Sequence, residues 1–261
     1  MSIDVSLLEV AASLVLVALA AGVSYWRRAE LEKDLGIAVL RSFLQLTAVG
    51  YVIQAIFDSD SLLLVVALLA VMVAFGSFTA RRRARDVPGA LPAIALGLSA
   101  AAIVTLGLVL ALGVFDAKPR YLVPVGGMVI GNAMTAAAVA LNRLADDVRG
   151  SRLQIEATLA LGATSTEAAR ELVTRSLRSG MITLIDSTKT TGVVFFPGTM
   201  VGMLLAGADP IDAVRLQLIL LWTLMGSVAI SAVIATTLGH RGFFTAAHQL
   251  KELPSPPSAK A

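Results

Sequence analysis

Apolar stretches too long for the core of a soluble domain recur along this chain, separated by short polar connections. They stand at residues 7–25, 35–57, 62–80, 91–115, 121–141, 181–206 and 214–238. Runs of about 20 apolar residues match a hydrocarbon layer about 30 Å thick, in which a backbone must satisfy its own hydrogen bonds. The expected fold is an all-α integral membrane protein with about seven transmembrane helices. Composition agrees: the 261 residues are 57% hydrophobic and 15% charged, with a mean hydropathy of +0.82, far from the average soluble domain. Cysteine is absent, which excludes disulfides, iron–sulfur clusters and thiolate metal sites. His240 and His248 are the only imidazoles. A net charge of +3 would suggest nucleic acid in a soluble protein. Here the basic residues flank apolar spans and report orientation, so no nucleic-acid partner is expected.

Arg27, Arg28, Lys33, Arg81, Arg82, Arg83, Arg85, Arg143, Arg149, Arg152, Arg170, Arg175, Arg178, Arg241, Lys251 and Lys260 fall on one set of connections. Lys118, Arg120 and Arg215 fall on the other. Because lysine and arginine are retained inside, the N-terminus is expected outside and the C-terminus in the cytoplasm, with the chain multi-pass in the inner (plasma) membrane. The outer loops, 58–61, 116–120 and 207–212, leave no room for an external domain. The N-terminal stretch lacks the basic region of a signal peptide, and Ser6 with Glu9 forms a capping box that starts the first helix. The permease-like body is expected over 1–253, and the proline- and serine-rich tail, 254–261, is expected to be disordered.

The one long inner connection, 142–180, has a pattern of its own. Leu153, Ala157 and Leu161 recur at four-residue spacing and define one helical face. Gly162 offers a stop, and Thr164 with Glu167 makes a second capping box. Ala169, Leu172 or Val173, Ser176 and Leu177 then continue an apolar stripe between Arg170, Glu171, Arg175 and Arg178. The result is an amphipathic helix-turn-helix, suited either to lying on the membrane surface or to docking a cytoplasmic partner.

The string from Glu156 and Ala157 through Gly162, Ala163 and Thr164 resembles the EAA loop of ABC-transporter permeases, whose coupling helix fits a cleft on the ATPase subunit. Thr158 stands where the second alanine of that motif falls, and Thr174-Arg175 stands in place of its later Leu-Pro pair. A wider likeness, carried by RSFLQLTAVGYVI, GMVIGNAMTAAAVALNR, DSTKTTGVV and PGTMVGMLLAGADPIDAVRLQ, resembles the FetB-type permease family of bacterial iron exporters, related to plant aluminium-tolerance half-transporters. The resemblance implies a half-transporter, a homodimer in the membrane, that exports a metal ion and pairs with a separate ATPase at Glu156, Ala157, Gly162, Ala163, Thr164 and Glu167. No lysine in the chain follows a glycine, so no phosphate-cradling loop for ATP is present. The chain is expected to be no enzyme and to bind no cofactor, with ATP and Mg held by the partner subunit.

Ionisable groups inside a span are functional candidates or structural pairs. Asp186 and Lys189 lie three apart on one helical face and can pair, with Ser187, Thr188, Thr190 and Thr191 supplying hydroxyls. Asn132 is either interhelical glue or a contact on the path. Arg41, four residues before Gln45, either pairs with Asp186 or snorkels. No cage of metal ligands is visible, so a transported metal would use transient oxygen ligands or travel as a complex. Gly127 with Gly131 and Gly198 with Gly202 have the spacing of close helix packing, within a subunit or across a dimer seam, and Pro124 and Pro197 interrupt their spans. Two other readings stay open. One is a motorless carrier in which Asp186 takes up and releases a proton as its pairing with Lys189 changes. The other is a non-transporting membrane anchor or sensor.

Overall fold

The computed structural model describes residues 6–252. The expected disordered tail lies outside them. Within them the chain forms α1 (Leu7–Arg27), α2 (Glu32–Ser59), α3 (Leu62–Arg83), α4 (Ala90–Ala111), α5 (Pro119–Gly150), α6 (Arg152–Ala160), α7 (Ser165–Thr190), α8 (Gly198–Leu205) and α9 (Pro210–Gly239). Six of these, α1 to α5 and α9, are long and apolar enough to cross a membrane. The capping box at the head of α1 is formed: Ser6 N–H donates to Glu9 Oε2 at 2.8 Å and Glu9 N–H to Ser6 Oγ at 3.2 Å.

The stretch 181–206, expected as a single span, is two helices instead. Its first part is the end of α7, which begins at Ser165 because the stripe of Ala169, Leu172, Ser176 and Gly180 stays buried along α5. The helix stops at Thr190. Gly192, at φ 86°, turns the chain, and Pro197 caps the short α8. A left-handed glycine followed by a proline ends a helix whatever the hydropathy of its neighbours.

Small residues build the core. Gly97 of α4 lies against the Ser231 backbone of α9, where an added Cβ would come within 3.0 Å of the Ser231 carbonyl. Ser231 Oγ in turn donates to the Ala133 carbonyl of α5 at 3.2 Å. Around this three-helix seam Ala101, Ala133, Ala137 and Ala235 are fully buried. Without a hydrophobic drive between helices in lipid, close backbone approach of this kind supplies the association. A Cβ on Gly180 would stand 2.8 Å from the Ala136 carbonyl and 2.9 Å from Ala140 Cβ, so α7 sits hard against α5. A smaller cluster of Ile56, Val65, Leu122 and Val123 ties the end of α2 to α3 and α5. Most of the remainder of α1 and α2 is exposed.

At 32 residues α5 is about 48 Å long, longer than a bilayer core. Its last turns therefore extend past the span, and Leu144, Ala145 and Val148 there join Ile155, Ala169, Leu172 and Phe243 in one cluster. Arg149 clips the α3–α4 connection to this end through Asp86, Nη1 to Oδ2 at 2.9 Å. The Arg149 hydrogen bond first, with the charges of Arg149 and Arg85, holds the Asp86 carboxyl below its ordinary range against the opposing cost of desolvation.

Two outcomes follow from these contacts. Gly180→Leu should cost about 1–3 kcal/mol by overpacking against α5, seen as a lower thermal midpoint in detergent. Gly107→Leu, facing open space, should leave that midpoint in place. Equal midpoints for the two variants would refute the tight α5–α7 seat. For Asp86, whose pKa is depressed in the folded chain, the stabilisation is complete above the free carboxylate value of about 3.9 and is lost as pH falls through the lower folded value. Its side chain is 47% exposed, so the contribution is about 1 kcal/mol or less. The gap in thermal midpoint between wild type and Asp86→Asn should hold from pH 7 down to about pH 4 and narrow progressively below it. A constant gap would contradict the clip.

Candidate functional site

Two features lie at opposite ends of α7. At its start the chain leaves α6, passes Gly162 at φ 91° and enters α7 at Thr164. The second capping box is complete: Thr164 N–H and Oγ1 each donate to Glu167 Oε2 at 2.8 Å, and Glu167 N–H donates to Thr164 Oγ1 at 3.3 Å. These bonds, the backbone one first, hold the Glu167 carboxyl below its usual range. Ile155 is buried and pins α6 to the end of α5. The face of Leu153, Ala157 and Leu161 turns away from the body, with Leu153 83% and Leu161 90% exposed. Glu156 pairs with Arg152 at 2.8 Å on the same helix. Gly162 is exposed and Ala163 half-buried.

One partner of this turn has no signature in the sequence. Residues 244–251 fold back as a small hairpin, Thr245 N–H bonding Gln249 O at 2.8 Å and Lys251 N–H bonding Phe243 O at 2.8 Å. It carries His248, whose Nδ1 meets Ser165 N at 3.2 Å and Ser165 Oγ at 2.9 Å, satisfying a free N–H at the head of α7. Between hairpin and turn lies a crevice of about 380 Å³ lined by Glu156, Leu159, Ala163, His248 and Leu250 among others. His248, 83 residues from Ser165, could only have been found from the fold.

At the other end of α7, Lys189 Nζ stands 3.3 Å from Asp186 Oδ1, both side chains exposed. The hydroxyls turn back onto the helix: Ser187 and Thr188 donate to the Leu184 carbonyl, Thr190 to the carbonyls of Asp186 and Ser187, and Thr191 to that of Ser187. They secure the helix end that Gly192 terminates. Depth follows from the Gly180 seat. Since α7 runs antiparallel to α5, Asp186 and Lys189 lie about 9 Å and 13.5 Å beyond that contact, level with the neighbourhood of Asn132 and Val129. Asn132 is about 20 Å along α5 from Pro119.

Other expected residues are placed differently. Asn132 Nδ2 donates to the Met128 carbonyl of its own helix at 2.9 Å and bonds no other helix. Arg41 and Gln45 are exposed on α2, and Arg41 makes no ion pair with Asp186 or any other described acid. Gly127 approaches Met72 of α3, whereas Gly131, Gly198 and Gly202 have nothing within 4 Å of an added Cβ among the described residues. The tightest helix contacts at a glycine are those of Gly97, Gly126, Gly180 and Gly239, with Gly76 of α3 close to Leu98 of α4. Pro124 lies inside α5, which continues through it. Beyond α7, Thr199 Oγ1 of α8 donates to the buried Gln217 Oε1 of α9 at 2.7 Å, tying the short helix to the bundle. Among the described residues no group of three or more histidines, cysteines or carboxylates could hold a metal ion.

The chain matches the uncharacterised protein family UPF0014 over residues 7–244. It is 39% identical to the UPF0014 membrane protein STAR2 of Oryza sativa subsp. japonica, over 95% of this chain and 87% of that one. It is 38% identical to the protein ALUMINUM SENSITIVE 3 of Arabidopsis thaliana, over 92% and 88%. It is 33% identical to the probable iron export permease protein FetB of Escherichia coli (strain K12), over 93% of each. No solved structure matches it. Matched along nearly its whole length, and built from helices of membrane-spanning length, the chain belongs to the UPF0014 family of membrane proteins.

Proposed function

We propose that this protein is the membrane subunit of an ABC-type exporter. It works as a homodimer in the plasma membrane and moves a metal cation, iron first, at the expense of ATP hydrolysed by a separate subunit. The observation that carries this reading is the α6–Gly162–α7 turn. It is held rigid from within by Ile155, the Thr164–Glu167 box and His248, yet it presents Leu153 and Leu161 outward. An apolar face on a braced element is what a docking partner engages. The relative FetB, a probable iron export permease protein, suggests the cargo and direction.

In this reading the arginine-rich end of the bundle is cytoplasmic and the N-terminus outside, and α7 with α8 makes the seventh crossing as a broken helix. Irregular backbone inside a bilayer is tolerated where protein or water covers it. The break at 191–197 and the exposed Asp186–Lys189 pair therefore face the second copy or the transport path between the copies, with Ser187, Thr188, Thr190, Asn132 and Gln45 at similar depth. Gly198 and Gly202, free of partners in one chain, are available to that seam. A motorless proton-coupled carrier would also use Asp186, but gives no role to the braced turn.

The test is co-purification of the full chain with its candidate ATPase, followed by ATP hydrolysis in lipid discs with and without iron salts. Glu156→Lys should abolish the complex, although its cost to the helix is only about 0.5 kcal/mol from a like-charge neighbour. Leu161→Asp, at a position 90% exposed, should do the same with no loss of fold. A complex that survives both substitutions, or no complex with any ATPase, would overturn the reading.

A further inference from the structure

One face of α3 lines an open apolar furrow, and its residue spacing carries on past the apolar part. Ala70, Ala74, Ser77 and Phe78 of α3 lie with Ala95 and Ser99 of α4 along this furrow of about 720 Å³. Ser77 Oγ donates to the Val73 carbonyl of its own helix at 2.7 Å, so its hydroxyl is already spent. The next positions on the same stripe, three and four residues on from Ser77 and Phe78, are Arg81 and Arg82. Both are exposed, and among the described residues neither pairs with an acid. Asp86, close by in sequence, is taken by Arg149 at 2.9 Å. Arg85 folds back, Nε donating to the Arg82 carbonyl at 2.9 Å, and adds its charge to the same end. The furrow thus leads from an apolar slot into a cluster of uncompensated positive charge.

We propose that the α3–α4 furrow is a binding site for an anionic phospholipid, its phosphate on Arg81 and Arg82 and one acyl chain laid along Ala74 and Ser99. This needs only that α3 and α4 cross a bilayer, and does not depend on the transporter reading. A chain from one leaflet covers about half of a layer about 30 Å thick. At about 1.5 Å per residue that length reaches from Arg81 back to the level of Val71, the half of the furrow where Ala74, Ser77 and Phe78 stand. Guanidinium groups take phosphate oxygens through paired N–H donors, and their apolar stems carry the charge out to headgroup level. The rival occupant is a second copy of the chain. A two-fold contact through this face would set the arginines of one copy beside those of the other, and like charges oppose it. The competing account is that the arginines only orient the span and attract anionic lipid diffusely, about fivefold each.

Native mass spectrometry of the full-length protein from a neutral detergent separates these accounts, because it counts both retained lipids and copies of the chain. Wild type should retain phosphatidylglycerol at concentrations where phosphatidylcholine is lost, and inorganic phosphate should not displace it. Arg81→Gln should weaken retention between about tenfold and a hundredfold, the loss of a charge-assisted bond. Arg83→Gln removes the same charge from a position off the stripe and should cost about fivefold or less. Ala74→Phe fills the furrow at constant charge and should weaken retention about tenfold. All three positions are exposed, so thermal midpoints in lipid-free detergent should match wild type and show the variants folded. Equal losses in Arg81→Gln and Arg83→Gln, or an Ala74→Phe variant that holds lipid as wild type does, overturn the proposal. Displacement by inorganic phosphate overturns it too, since the acyl chain would then contribute nothing. A wild-type dimer that falls to monomer in Ala74→Phe would assign the face to a second copy and overturn it as well.

Discussion

Hydrocarbon offers a backbone no hydrogen-bond partner, and the arrangement of this chain follows from that constraint. Six helices satisfy it by length and composition alone. In the proposed topology the exception is the stretch between α7 and α8, where Gly192 and Pro197 leave carbonyl and N–H groups without intrahelical partners. Among the described residues nothing covers that stretch, and Val193 in it is 89% exposed. A structure that obeys the rule so consistently elsewhere marks the point of violation as the place where another surface or water belongs.

The bundle makes room for this by dividing its helices into two kinds. The α4, α5 and α9 seam is closed by glycine, alanine and serine, with Gly97, Ala133 and Ser231 in mutual contact, and such close backbone approach leaves little freedom. Helices α1 and α2 are joined to it through Ile56 at one end, while Ser24 Oγ and Glu32 Oε1, 2.8 Å apart, close their own hairpin. Helix α7 is intermediate, seated on α5 through Gly180 and on the core through Ala169 and Leu172, and exposed at its far end.

What could be read in the sequence was local. Both capping boxes, at Ser6–Glu9 and Thr164–Glu167, formed as their spacing implied, because a capping box needs only four consecutive residues. The stop at Gly162 and the buried stripe of Ala169, Leu172 and Ser176 belong to the same class. The broken span was signalled only by Pro197, since Val193 to Phe196 are as apolar as any helix and the turn at Gly192 leaves no such mark in the sequence. Glycine spacing left the partner open for a related reason. Gly198 and Gly202 share a face, but what stands opposite a face is a property of the fold, and the tight seats went to Gly97 and Gly180. His248 depends on a chain reversal after α9 that no periodicity encodes.

One further consequence lies in the continuity of α7. It runs unbroken for 26 residues, about 39 Å, from the Thr164 cap to the Asp186–Lys189 pair. Its tightest bearing is Gly180 on Ala136 and Ala140. About 22 Å of the helix lie on the Ser165 side of Gly180, where Ala169, Leu172 and Ser176 are also buried, and about 15 Å on the Thr190 side, where the end is exposed. The longer arm is thus the clamped one, and what play the helix has is left to its shorter, Thr190 end.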